Sequence, residues 1–147
     1  MVSVEGAAAV TTDGALGISS ELTTDPASRP SFRRIMNYLA TPYSDPDPAV
    51  RLLRYQQALD FVAHSYRKGH NLYSPIVYGF HIAPFLGQST WAFWERFDLD
   101  TLSRCDELWV LKLPGWDKSR GVRAEIEYAK AHRIPTLFLQ GDEVGRE

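Results

Sequence analysis

The chain predicts an α/β protein, a three-layer sandwich in which a parallel sheet is covered by helices on both faces, and three observations predict it. Short, nearly uncharged apolar runs recur at Ile35–Ala40, Leu72–Tyr78, Leu108–Leu113 and Ile134–Gln140, each of strand length. Between them lie longer stretches whose apolar residues return at helical spacing, as parallel strands require of their crossovers. Pro, Gly, Ser and Asp cluster at the joints, where turns belong. Strand alternating with helix in this way builds a sheet of four to five parallel strands with right-handed crossovers.

Composition sets the bounds. With 147 residues, 44% hydrophobic content and a formal net charge of -2, the chain suits one globular domain with a moderate core. That balance argues against a basic nucleic-acid binder, and no apolar run approaches the roughly 18 residues a spanning helix needs. Met1 to Pro30 has neither a basic nor a hydrophobic leader region, so a cytoplasmic protein is expected, with no nucleic acid and no membrane as partner. The same stretch lacks aromatics and any sustained period, and residues 1–32 read as a disordered arm. Residues 33–141 are expected to fold, with 142–147 a polar tail. The single cysteine, Cys105, cannot form an intrachain disulfide and reads as a small buried residue at the head of a strand.

Taken in order, Ile35, Met36, Tyr38, Leu39 and Ala40 form the first strand, stopped by Thr41-Pro42 and a turn-forming run of Ser, Asp and Pro. Asp47 caps a helix that Pro48 begins. Leu52, Tyr55, Leu59, Val62, Ala63 and Tyr66 are its expected buried stripe, and Arg51, Arg54, Gln57 and Lys68 its outer face. Gly69-His70-Asn71 ends it, and Leu72 to Tyr78 returns as a second strand, at an edge or ending near Pro75. Gly79 to Ser89 is too apolar for a solvated connector and is expected to form a lid or pocket wall. Thr90 to Arg104 is helical, with Trp91, Trp94, Leu99 and Leu102 near one face and an irregularity around Phe97 to Asp100.

The third strand, Leu108 to Leu113, leads into Pro114-Gly115-Trp116-Asp117-Lys118-Ser119-Arg120-Gly121. Ser119 caps the following helix, and Gly121 leaves room for a ligand to approach the backbone. Val122, Ile126 and Ala129 make that helix's buried stripe. At about 100° per residue Glu125 falls at the edge of this stripe, whereas Glu127 is solvated. Ligands of such sheets bind at the carboxyl ends of the strands. That edge gathers Thr41, Pro42 and Tyr43, then Tyr78 to His81, then Trp116 to Gly121. His81 stands out there as a polar residue in an apolar segment.

The chain has no Walker loop, no dinucleotide-binding glycine motif after the first strand and no nucleophile elbow. His64, His70, His81 and His132 show no metal-ligand spacing. Neither a cofactor nor a metal is implied.

Three motifs in order carry a resemblance: Tyr38-Leu39-Ala40-Thr41-Pro42-Tyr43-Ser44, Cys105 to Leu111, and Ser119-x-Gly121-x-x-x-Glu125-Ile126-x-Tyr128-Ala129. Together they resemble the nucleoside 2-deoxyribosyltransferase-like superfamily, and within it an uncharacterised bacterial and phage group designated a domain of unknown function. The resemblance runs from about Ile35 to Gln140. It implies a Rossmann-like (flavodoxin-like) sandwich and an N-glycosidase or deoxyribosyltransferase whose nucleophile is Glu125, oriented by Tyr38. At Ser119 the deoxyribosyltransferases commonly have Asp, whereas deoxynucleoside 5′-monophosphate N-glycosidases have Ser and use it for the 5′-phosphate. The resemblance therefore implies that Ser119, with Gly121, helps to bind phosphate or ribose. Asp106 is expected to shape the sugar or base site, and Thr41, Pro42, Tyr43, His81 and Trp116 to line it. Two departures stand out: the family often has Gly at the positions of Thr41 and Glu127.

The expected partner is a nucleoside or its monophosphate, and a homodimer would help to close a shallow pocket. Two other readings stay open at this stage. One is a nucleotide-sensing module without catalysis; the other is a structural protein whose Phe85, Trp91 and Trp94 pack on another subunit.

Overall fold

The computed structural model describes residues 35–87 and 90–144; the expected arm at 1–32 and the end of the tail lie outside them. Four parallel strands form one sheet: β1 (Asn37–Ala40), β2 (Leu72–Tyr73), β3 (Glu107–Leu111) and β4 (Thr136–Leu139), in the order β2-β1-β3-β4. The chain starts near the middle and winds out to both edges. In this order β1 and β3 are neighbours whose crossovers leave in opposite directions, and a crevice opens between their carboxyl ends. Their register, Asn37 opposite Glu107 through Ala40 opposite Val110, puts the loops after both strands at one level.

The helices are α1 (Pro48–Arg67), α2 (Pro75–Ile82), α3 (Trp91–Ser103) and α4 (Arg120–Ala131). Alternation along β1 and β3 splits the core in two, because successive side chains of a strand face opposite ways. Tyr38, Ala40, Leu108 and Val110 pack with Leu102 of α3 and with Val122 and Ala129 of α4. Leu39, Trp109 and Leu111 pack on the other face with Phe61 of α1. The result is the expected α/β three-layer sandwich, and no described helix is long and apolar enough to cross a membrane.

Each helix begins at a side-chain cap. Asp47 accepts from the Ala49 amide at 2.9 Å, Ser74 from Val77 at 3.2 Å, Thr90 from Phe93 at 3.4 Å and Ser119 from Val122 at 3.3 Å. Such caps satisfy amides that the helix itself leaves without partners.

The structure corrects several sequence expectations. The second strand ends at Tyr73, and Pro75 is the first residue of α2. A proline suits that position because no helical hydrogen bond is asked of its nitrogen, and Ser74 supplies the cap. The apolar run to Tyr78, taken for strand, is the first part of that helix, and β2 is an edge strand of two residues. Gly79 to Ile82 continues α2, and a 3-10 turn follows at Ala83–Phe85. α3 runs through Phe97–Asp100 without interruption.

On α1 the buried residues are Tyr55, Ala58, Phe61 and Ser65, while Leu52, Leu59 and Tyr66 are exposed. The helix carries two apolar stripes, and the one holding the large ring of Phe61 faces the sheet. Arg54, expected to point outward, folds back over the loops instead.

Candidate active site

A cavity of about 490 Å³ opens at the carboxyl edge, where the β1–β3 crevice was expected. Its size falls within the range of small-molecule sites. Thr41, Tyr43 and Ser44 bound it after β1, and Lys118, Ser119, Arg120 and Gly121 after β3. The first turns of α2 (Pro75, Ile76) and α3 (Thr90, Trp91) complete the rim. Three helix N-termini therefore face one space, and their partial positive charge favours an anionic ligand there.

Glu125 forms the floor. It belongs to the buried stripe itself, with Val122 and Ala129, rather than to its edge, and it is only 4% exposed. Ile126, expected in the stripe, is half-buried. A carboxylate in that position needs a partner, and the hydroxyl of Tyr38 donates to Glu125 Oε1 at 2.7 Å. Tyr38 is itself fully buried in the central strand, so the hydrogen bond joins the middle of the sheet to the second turn of α4. Burial pushes the Glu125 carboxyl up to about 8; the Tyr38 hydrogen bond pulls against this and the nearby Asp98 charge adds to it. Tyr38 is held protonated, its pKa raised well above 10 by burial and then by Glu125.

Asp98 is the buried carboxylate of the cavity that sequence reasoning missed. It is buried on α3, lines the same cavity, and burial pushes its carboxyl up to about 7. A signal was available: Trp91, Trp94, Asp98 and Leu102 fall on one helical face, so a carboxylate stands where the pattern asks for an apolar residue. Both carboxyls are raised by burial and share one cavity, so their ionisation is coupled and a proton held there belongs to the pair.

The aromatic wall is built on glycines. A β-carbon on Gly79 would meet the Trp94 ring at 3.6 Å, an ordinary contact, but one on Gly121 would meet Trp91 Cζ3 at 3.1 Å. The space above Gly121, expected to admit a ligand, is thus partly taken by the Trp91 indole. Gly121→Ala should push that ring by a few tenths of an ångström, shift its fluorescence and lower kcat/KM severalfold. Gly79→Ala should leave turnover within twofold and raise stability by about 0.5–1 kcal/mol, the helical preference for Ala. Equal effects of the two would show that the Trp91 contact does not shape the site.

Arg54 fastens the rim. Its guanidinium donates to the carbonyls of Ser44 at 2.8 Å, Tyr43 at 3.4 Å and Pro114 at 3.5 Å, tying the loop after β1 to the loop after β3. Gly115 allows this, with a φ of 89° and no side chain to collide with Arg54. Arg54→Met keeps the apolar stem and removes the donors. The expected result is a stability loss of about 1–3 kcal/mol in denaturant melts and a rise in KM larger than any fall in kcat. A variant with wild-type stability and KM would show that the staple is idle.

Of the other residues expected at the site, Thr41, Tyr43, Ser119 and Gly121 line the cavity with Glu125, whereas Pro42, Asp106, His81 and Trp116 do not. Pro42, in the loop after β1, is fully buried. Asp106 lies at the opposite, amino-terminal edge of the sheet, where its carboxylate accepts from the Met36 amide at 2.9 Å. His81 Nε2 and the Tyr55 hydroxyl hydrogen-bond at 2.7 Å, and Tyr55 stacks at 3.9 Å on Phe80, which does line the cavity. His81 therefore braces the wall from behind. Trp116 packs against Phe138. The Cys105 thiol, pushed up to about 11 by burial and then by Asp106, donates to the Thr101 carbonyl and packs in the core.

No curated protein matches the chain. The family model described as Domain of unknown function (DUF1937) matches residues 34–140, which include every strand and helix of the sandwich, and the chain belongs to that family.

Proposed function

We propose that the protein is an N-glycosidase of the nucleoside 2-deoxyribosyltransferase-like kind, acting on a nucleoside or its 5′-monophosphate. The observation that carries this reading is a buried carboxylate held by a tyrosine hydroxyl in a cavity that a second buried carboxylate also lines. Such a pair suits a bond that breaks through an oxocarbenium-like state.

In this reading a Glu125 oxygen attacks C1′ and forms a glycosyl ester as the bond from C1′ to the base nitrogen breaks. The bonding pair goes to the base, which takes a proton from Asp98. Water then gives up a proton to Asp98 and attacks C1′, releasing the sugar and regenerating the Glu125 carboxylate. A second base in place of water completes a transfer instead. The Tyr38 hydroxyl stabilises the charge on Glu125 before attack and after release. Ser119 and the first amides of α4, with Lys118 and Arg120 beside them, would receive the 5′-phosphate, and the Trp91 and Trp94 rings would take the base.

The test is to incubate the protein with nucleosides and their monophosphates and to follow free base by chromatography. Release that Glu125→Ala abolishes supports the reading. No release from any member of the panel, or release indifferent to Glu125, would sink it; binding without turnover and without dependence on Glu125 would favour the sensing module.

A further inference from the structure

Thr41 carries a second assignment, which rests on the glycosidase reading. It follows the last residue of β1, is 5% exposed and lines the cavity together with Glu125. Its hydroxyl has no hydrogen-bond partner among the described residues. Other buried hydroxyls are satisfied: Ser65 donates to the Phe61 carbonyl at 2.8 Å, Ser74 accepts from Val77, and Tyr38 donates to Glu125. Asn37 Oδ1 is also without a partner, but Asn37 does not line the cavity. A buried hydroxyl left unpaired is destabilising, and valine would fill the same volume without that cost. A bound ligand that supplies the missing partner removes the penalty.

The reaction limits what that partner is. For attack, a Glu125 oxygen must come within about 3–3.5 Å of C1′. On the sugar side C1′ is bonded to O4′ and C2′, so a hydroxyl on C2′ is the sugar hydroxyl nearest the attacked carbon and must lie near the cavity wall that surrounds Glu125. Hydrogen bonds to the hydroxyl at this position strengthen as positive charge develops on the sugar ring.

We propose that the Thr41 hydroxyl pairs with the 2′-hydroxyl of the substrate and selects ribonucleosides or ribonucleotides over their 2′-deoxy forms. The experiment measures kcat/KM for matched ribo, 2′-deoxy and 3′-deoxy substrates in the wild type, Thr41→Val and Thr41→Ser. The wild type should prefer ribo over 2′-deoxy by at least about 10-fold. Thr41→Val should bring that ratio close to one, and Thr41→Ser should retain it. The 3′-deoxy substrate should track the ribo form in all three proteins.

A wild-type enzyme indifferent to the 2′-hydroxyl overturns the proposal even if neither variant folds. So does a preference that Thr41→Val leaves intact, or a dependence on the 3′-hydroxyl instead. In each of those cases base is still released and the glycosidase reading stands. Absence of base release from every sugar marks the failure of that reading, and the assignment to Thr41 falls with it.

Discussion

Glu125→Gln should reduce base release by at least about 10³-fold and at the same time make the protein more stable at alkaline pH. The loss follows from removing the nucleophile while preserving the shape of the site, since the amide oxygen can still accept from Tyr38. The gain follows from proton linkage. The Glu125 carboxyl has an ordinary value near 4.5 and a folded value of about 8, raised chiefly by burial. A raised folded value means that the folded state holds the proton more tightly than the unfolded chain does. Its contribution to stability is full below about pH 4.5 and drains away as the pH rises to about 8. At about 1.4 kcal/mol per pH unit the drain reaches a few kcal/mol. Glutamine has no proton to lose and escapes it. Melting temperatures of the two proteins should therefore be close at pH 5 and diverge toward pH 8.5, with the variant higher. Parallel curves would mean that Glu125 is not the group whose ionisation is suppressed.

Asp98→Asn should slow release of ordinary bases by about 10²–10⁴-fold, the usual worth of a positioned proton donor. The loss should shrink to less than about 10-fold for an N7-methylated purine nucleoside, whose base carries its charge already and departs without a proton. A structural role for Asp98 would depress both substrates alike, so the comparison separates the two. The pH profile gives a second readout. With Asp98 near 7 and Glu125 near 8, the wild-type kcat/KM should peak between those values, where the pair holds one proton. In Asp98→Asn the alkaline limb should vanish. The remaining acid limb should follow the ionisation of Glu125 alone, which burial chiefly sets. A profile that keeps both limbs would assign the acid to another group.

Much of this was legible in the sequence, for reasons that differ from one residue to the next. The β3-to-α4 unit could be read because a fully buried strand, a glycine turn and a capped amphipathic helix each leave a local pattern. Glu125 was separable from Glu127 by angle alone, yet its place inside the stripe depends on a partner in β1 that no local pattern reveals. Asp98 was hidden for a related reason: its neighbours Phe97 and Asp100 made the helix look irregular, and only the cavity shows what a buried carboxylate there faces. The stretch from Leu72 to Tyr78 failed on chemistry shared by two structures, since apolar residues after a serine and a proline suit a strand end and a helix start equally. Arg54 shows the same limit, because an arginine on a polar helix face carries no mark of the carbonyls it will reach.

The hydrogen bond from Tyr38 to Glu125 spans 87 residues of sequence, and this separation fixes when the pair can form. The pair does not exist until β1, β3 and α4 have assembled, and both members are buried in that assembly. The amides of β1 and of the second turn of α4 should therefore exchange with solvent deuterium only through the largest, cooperative opening of the domain. The first turn of α2, a helix that packs on α1, lies outside that unit and should open at lower free energy. Opening of the cavity and separation of the Tyr38–Glu125 pair thus belong to different levels of the same stability ladder: the α2 side of the cavity can breathe while that pair stays joined.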